Sequence, residues 1–91
     1  MKPTLTDVLA AIPRAAGPWS NYIIDRLQRD HARRVALGGT GHPPSAALVL
    51  RRLKKLETMG HVTRSQFTNG YYGYRWDITD AGHAALPKVG A

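Results

Sequence analysis

Residues 45–60 read SAALVLRRLKKLETMG, residues 61–79 read HVTRSQFTNGYYGYRWDIT, and residues 80–86 read DAGHAAL. Their punctuation decides the fold. Ser45 is a residue whose side-chain oxygen caps a helix by accepting one of its first amide hydrogens. The apolar positions that follow, Ala46, Val49, Leu53 and Leu56, are spaced 3, 4 and 3 apart, with Leu50 on the margin of the stripe. That spacing predicts a helix over 45–59. Gly60 then supplies the left-handed residue on which helices commonly end. Asn69-Gly70 favours the tight turn whose twist matches that of paired strands, so residues 61–79 are expected to fold back as a hairpin, 62–68 against 71–79. Val62, Trp76 and Ile78 are expected to point inward, with Tyr74 also packed on the helices. Thr79 caps a last short helix over 80–86, and Pro87 stops it.

Upstream, Thr4 or Thr6 can cap a first helix through Leu5, Val8, Leu9 and Ile12, closed by Pro13. Residues 1–18 thus comprise a first helix and a linker. Pro18 suits the first turn of a longer helix over 19–37. Trp19, Ile23, Ile24, Leu27 and Val35 mark its apolar face, and Asp25, Arg26, Arg29, Asp30, Arg33 and Arg34 the other. The glycine-rich segment 38–44 cannot hold regular structure and is expected to be a flexible loop. The chain should be one domain, mainly α with a small antiparallel hairpin (α+β), in the order helix, helix, helix, strand, strand, short helix.

With 91 residues there is room for one core and not for two. No cysteine is present, which excludes disulfides and thiolate metal sites. No wholly apolar run is longer than that of residues 46–50, far short of the roughly 20 residues a membrane span needs. The first twelve residues make a poor signal peptide. The default expectation is a cytoplasmic, nucleoid-associated protein. His31, His42, His61 and His83 lack zinc-like spacing. Asp77, Asp80 and His83 recur every third residue, but Asp80 is explained by the dipole of the helix it begins. Ser20, Ser45 and Ser65 have no base nearby in sequence. No glycine-rich phosphate loop or nucleophile elbow occurs. Neither an enzyme nor a metal or other cofactor is expected.

Charge is the more informative total. Thirteen Lys and Arg stand against six Asp and Glu, a net charge of +7. Between Pro44 and Arg75 there are six cations and one anion, Glu57, so 32 residues carry +5 of it. On a helical wheel with Val49, Leu53 and Leu56 inward, Leu48, Arg51, Arg52 and Lys55 share the far face, with Lys54 and Thr58 at its edges. A merely solvated helix would alternate Glu with Lys at i,i+4 spacing, and this one does not. Phosphates attract such cations and release counterions, and a helix fits the major groove of DNA. Base contacts are therefore expected from Ala47, Leu48, Arg51 and Arg52, with Arg51 best placed for guanine and the two apolar residues for a thymine methyl. Backbone contacts are expected from Ser45, Lys54, Lys55, Arg64, Gln66, Asn69, Tyr72 and Arg75. Phe67, Tyr71, Tyr72, Tyr74 and Trp76 also crowd the hairpin. Stacking on single-stranded bases is one use for them; packing across the strands is the stronger reading for Trp76.

The segment Leu56-Glu57-Thr58-Met59-Gly60-His61-Val62, the hairpin, and Ile78-Thr79-Asp80-Ala81-Gly82 closely resemble a winged helix-turn-helix of MarR-like and PadR-like bacterial regulators. The likeness covers residues 45–86, with 19–37 as the preceding helix. It implies a recognition helix over 45–59, a wing over 61–79, and sequence-specific binding of double-stranded DNA by a small transcriptional regulator of bacterial or phage type. Relatives of that kind dimerise through long helices outside this unit. Only five residues follow Leu86 here, so a homodimer through the first two helices or a monomer is expected. Residues 38–44 are also longer than a tight helix-turn-helix turn. The alternative is a module of the same fold that binds a protein such as polymerase or another regulator through Leu48, Tyr71 and Tyr72.

Overall fold

A capping box opens the first helix. Thr4 Oγ1 accepts from Asp7 N at 3.1 Å and Asp7 Oδ2 accepts from Thr4 N at 2.9 Å, so Thr4 rather than Thr6 is the cap. The computed structural model describes residues 3–65 and 74–86. It contains α1 (Leu5–Ala11), α2 (Ser20–Ala36), α3 (Ala46–Thr58), β1 (Val62–Ser65), β2 (Arg75–Ile78) and α4 (Asp80–Ala85). The fold is mainly helical, with β1 and β2 antiparallel. Among the described residues no helix is long and apolar enough to cross a membrane. The turn residues Asn69 and Gly70 lie outside the described residues.

The ribbon is joined to the helices by a segment that reads as a linker. Trp76 N donates to Pro18 O at 2.7 Å and Ser20 N to Tyr74 O at 2.9 Å, an antiparallel bridge of Trp19 to Arg75. Pro18 therefore precedes α2, which begins at Ser20 with Trp19 as its N-cap. Proline tolerates such an edge position, since it contributes a carbonyl and has no N–H to leave unbonded. Inside the bridge, Ser20 Oγ accepts from Trp76 Nε1 at 2.8 Å and from Tyr74 N at 3.2 Å, and donates to Tyr74 O at 3.2 Å. One hydroxyl uses its full capacity, one donation and two acceptances. Ser20 is 3% exposed and Trp76 fully buried. Burying an indole is worth on the order of 4–6 kcal/mol as an upper bound.

The core gathers Val8, Leu9 and Ile12 of the first helical segment, Ile23 and Leu27 of α2, Val49, Leu53 and Leu56 of α3, and Val62 with Trp76 of the ribbon. Three expectations need correction. Ala46 is exposed, because it is the first residue of α3 and lies a turn before the stripe meets its partners. Val35 is 44% exposed and the buried α2 face ends at His31, since every residue over 32–43 is exposed. Tyr74 is 42% exposed; its ring meets Trp76 edge-on at 6.2 Å instead of lying beneath a helix. The segment 38–44 is irregular, and hydrogen bonds tie it to α2. Gly39 N donates to Arg34 O at 2.8 Å, His31 Nε2 lies 3.2 Å from Gly41 O, and Gln28 Nε2 donates to Pro44 O at 3.1 Å.

The end of α3 and the start of α4 form one joint. Ser45 Oγ accepts from Leu48 N at 3.1 Å, capping α3 as its sequence predicts. At the other end Gly60, with φ +81°, lets His61 N reach back to Leu56 O at 3.0 Å. Thr79 Oγ1 accepts from Gly82 N at 3.0 Å and donates to Gly60 O at 2.6 Å. Gly82 is buried in this joint, and a Cβ there would overlap the His61 carbonyl and press on Ile78 Cγ2.

Two substitutions test these joints. Ser20→Ala strands the Trp76 and Tyr74 N–H groups in a buried site and should cost about 1–3 kcal/mol in denaturant unfolding; an unchanged midpoint would mean that Trp76 finds another acceptor. Gly82→Ala should lower stability by about 1–3 kcal/mol through overlap, whereas helix propensity alone would raise it by about 1 kcal/mol. The sign of the shift in melting temperature decides between them.

Candidate nucleic-acid interface

Packing one stripe of α3 into the core turns the rest of its surface to solvent. Ala47, Arg51, Lys54 and Lys55 are exposed, and Leu48 and Arg52 are half-buried. No hydrogen bond or ion pair holds the side chains of Arg51, Lys54 or Lys55 among the described residues. Arg52 differs. Its Nε donates to Pro3 O at 3.3 Å, fastening α3 to the start of α1. Four residues beyond Leu48, it leans on the side of α3 that α1 covers, whereas Arg51 is turned to solvent. Ser45 is exposed at the helix start, where its hydroxyl is engaged in capping.

Both ribbon arginines have carboxylate partners. Arg64 lies directly across the ladder from Trp76, and residues so paired project from the same face. Its guanidinium stands 4.7 Å from the centre of the Tyr74 ring and 5.6 Å from that of Trp76, while Nε reaches Glu57 Oε2 of α3 at 3.3 Å. Arg75, on the other face, pairs with Asp77 at 3.2 Å and lies 5.9 Å from the centre of the Trp19 ring. These pairs are partly solvated, and such pairs are worth about 0–1 kcal/mol each. Either arginine can therefore turn to a phosphate at small cost. Gln66, Asn69 and Tyr72 lie outside the described residues, as do Phe67 and Tyr71.

Carboxylates of α2 sort its cations likewise. Asp25 pairs with Arg29 at 2.7 Å, and Asp30 with Arg26 at 3.2 Å and Arg14 at 2.8 Å. Arg33 and Arg34 have no carboxylate partner among the described residues. Cations in this position, with Glu57 holding Arg64 and Ser20 holding the ribbon, are what a residue-by-residue reading misses. The i,i+4 pairs Asp25–Arg29 and Arg26–Asp30 are legible from spacing; the contacts of Arg64 and Ser20 depend on the tertiary fold.

Within the described residues, no group of three His, Asp or Glu converges to hold a metal ion. Leu48, one of the apolar residues on which protein docking would draw, is half-buried. Comparison with known proteins finds no matching family model, curated protein or solved structure.

The different settings of two neighbouring arginines give a measurable contrast. Arg52→Ala removes a bond to a part-buried carbonyl together with packing against α1, and should cost about 0.5–1.5 kcal/mol. Arg51→Ala should stay within about 0.5 kcal/mol of the parent, as exposed positions do. Equal losses in chemical unfolding would contradict the tether at Pro3.

Proposed function

We propose that this chain binds double-stranded DNA in a sequence-dependent manner and acts as a small transcriptional regulator, with α3 in the major groove and the ribbon beside it. One observation carries the reading: the solvent face of α3 presents Arg51, Lys54 and Lys55 with no carboxylate to neutralise them among the described residues, while Glu57 on the same helix is turned to Arg64. Like charges held on one rigid face repel each other and hold a local excess of anions. A polyphosphate relieves the repulsion and releases its own counterions on binding.

Roles follow from position along α3. The N-terminal half of a groove-inserted helix approaches base edges, so Ala47, Leu48 and Arg51 are the readers, with Arg51 able to make a two-pronged contact to guanine. Lys54 and Lys55, further along, meet phosphates. Arg64 and Arg75 join them when their pairs with Glu57 and Asp77 open. About three to five phosphates would then be neutralised, giving a slope of log K against log salt of about −3 to −5.

Titration of the protein into mixed-sequence duplex at several salt concentrations measures that slope, and selection from a random duplex pool reveals any preferred sequence. Salt-independent binding, or none, rejects the reading. Arg51→Ala should change which sequences are preferred and cost about 1–3 kcal/mol on the best one, whereas Lys55→Ala should weaken every sequence alike.

A further inference from the structure

The α3 face does not account for all the cations that lack carboxylate partners. Arg33 and Arg34 close α2, where every residue over 32–43 is exposed. They line a cleft of about 360 Å³ with Pro3, Asp7, Asp30 and Leu37. Both acids in it have partners elsewhere. The Asp7 carboxylate caps α1 through Thr4 N, and that of Asp30 is shared by Arg14 and Arg26. The floor of the cleft also connects to α3, since Arg52 donates to the carbonyl of Pro3. Arg52 of α3 thus meets Pro3, one of the residues that line the cleft at the end of α2.

From the exposure on one cleft of these two arginines, unpaired among the described residues, we infer that Arg33 and Arg34 form a second phosphate-binding site, which grips the DNA backbone beside the groove that α3 enters. The inference rests on the duplex-binding reading above and extends it to residues outside α3 and the ribbon. Position supports it. Gln28 is bonded to Pro44, so α3 begins level with Gln28, and Arg34 stands six residues further along α2, about 9 Å at the helical rise. The bonds from Gly39 N to Arg34 O and from His31 to Gly41 O tie the segment that follows back onto the helix. Their chemistry suits phosphodiesters, because a guanidinium presents paired donors to two phosphate oxygens. These contacts carry no base information, so the site contributes affinity and register rather than sequence preference.

Arginines in a last turn also favour the helix dipole, and the test separates the two roles. Full-length protein carrying Arg33→Gln with Arg34→Gln is titrated with mixed-sequence duplex across salt, beside Arg33→Lys with Arg34→Lys and Lys54→Gln with Lys55→Gln. The glutamine pair on α2 should make the slope of log K against log salt shallower by about 1.8, so that its affinity loss between about 50 and about 200 mM salt is roughly tenfold smaller than that of the parent. Its order of preference among sequences should match the parent, and the lysine pair should keep the parent slope. A parent-like slope for the α2 glutamine pair, with a shallower one for the Lys54 and Lys55 variant, overturns the second site and leaves duplex binding standing. Loss of slope in the lysine pair as well shows that charge at these positions does not set the slope, and also overturns it. Failure of the parent protein to bind duplex rejects the underlying reading instead.

Discussion

The buried hydroxyl of Ser20 is the contact through which the two halves of this fold hold each other. A two-stranded ribbon is marginal on its own in water, and here it is given a third edge by residues 18–20 and an anchor by the indole of Trp76. Trp76 can be buried only because its N–H finds an acceptor; without one, desolvation would oppose the gain from burying the ring. Ser20 supplies that acceptor and at the same time begins α2. The ribbon, the start of α2 and the core are consequently one cooperative unit. Arg64 inherits its place from this arrangement, since it stands on the same face of the ladder as Trp76.

A second constraint is the scarcity of carboxylates. Six acids cannot neutralise thirteen cations, so their placement decides which parts of the surface stay positive. Asp25 and Asp30 quiet the middle of α2 and Glu57 and Asp77 quiet the ribbon, so among the described residues the excess is left on α3 and at the end of α2. The ribbon, basic by composition, is largely balanced as folded. The helix retains its charge because its only acid, Glu57, points to the ribbon. This sorting is geometric, and a total of charge along the chain does not reveal it.

What could be read from the residues in order was whatever local chemistry specifies. Ser45 and Thr79 are caps because a short side-chain oxygen satisfies amides only two or three residues away. Gly60 ends α3 because a left-handed residue is required there, and the stripe of Val49, Leu53 and Leu56 follows from helical spacing. The positions that misled depend on where the rest of the molecule stops. Val35 continues the apolar face of α2 but is 44% exposed, and His31 closes the buried face one turn earlier. Ala46 fails for the same reason at the start of α3. Arg51 and Arg52 look interchangeable on a wheel; only the course of α1 over α3 turns one to solvent and binds the other to Pro3.

By itself, then, the sequence determined the helices and their ends, the presence of a hairpin, one small core and a basic excess too large for its own acids to balance. All of these arise from interactions within a few residues or from composition. Tertiary structure alone decided that residues 18–20 bridge to the ribbon, that Ser20 receives Trp76, that Gly82 must lack a side chain against the His61 carbonyl, and which arginines are paired. Those outcomes join residues up to 56 positions apart. No local pattern encodes such contacts, because they exist only once close packing has brought distant side chains within hydrogen-bonding range.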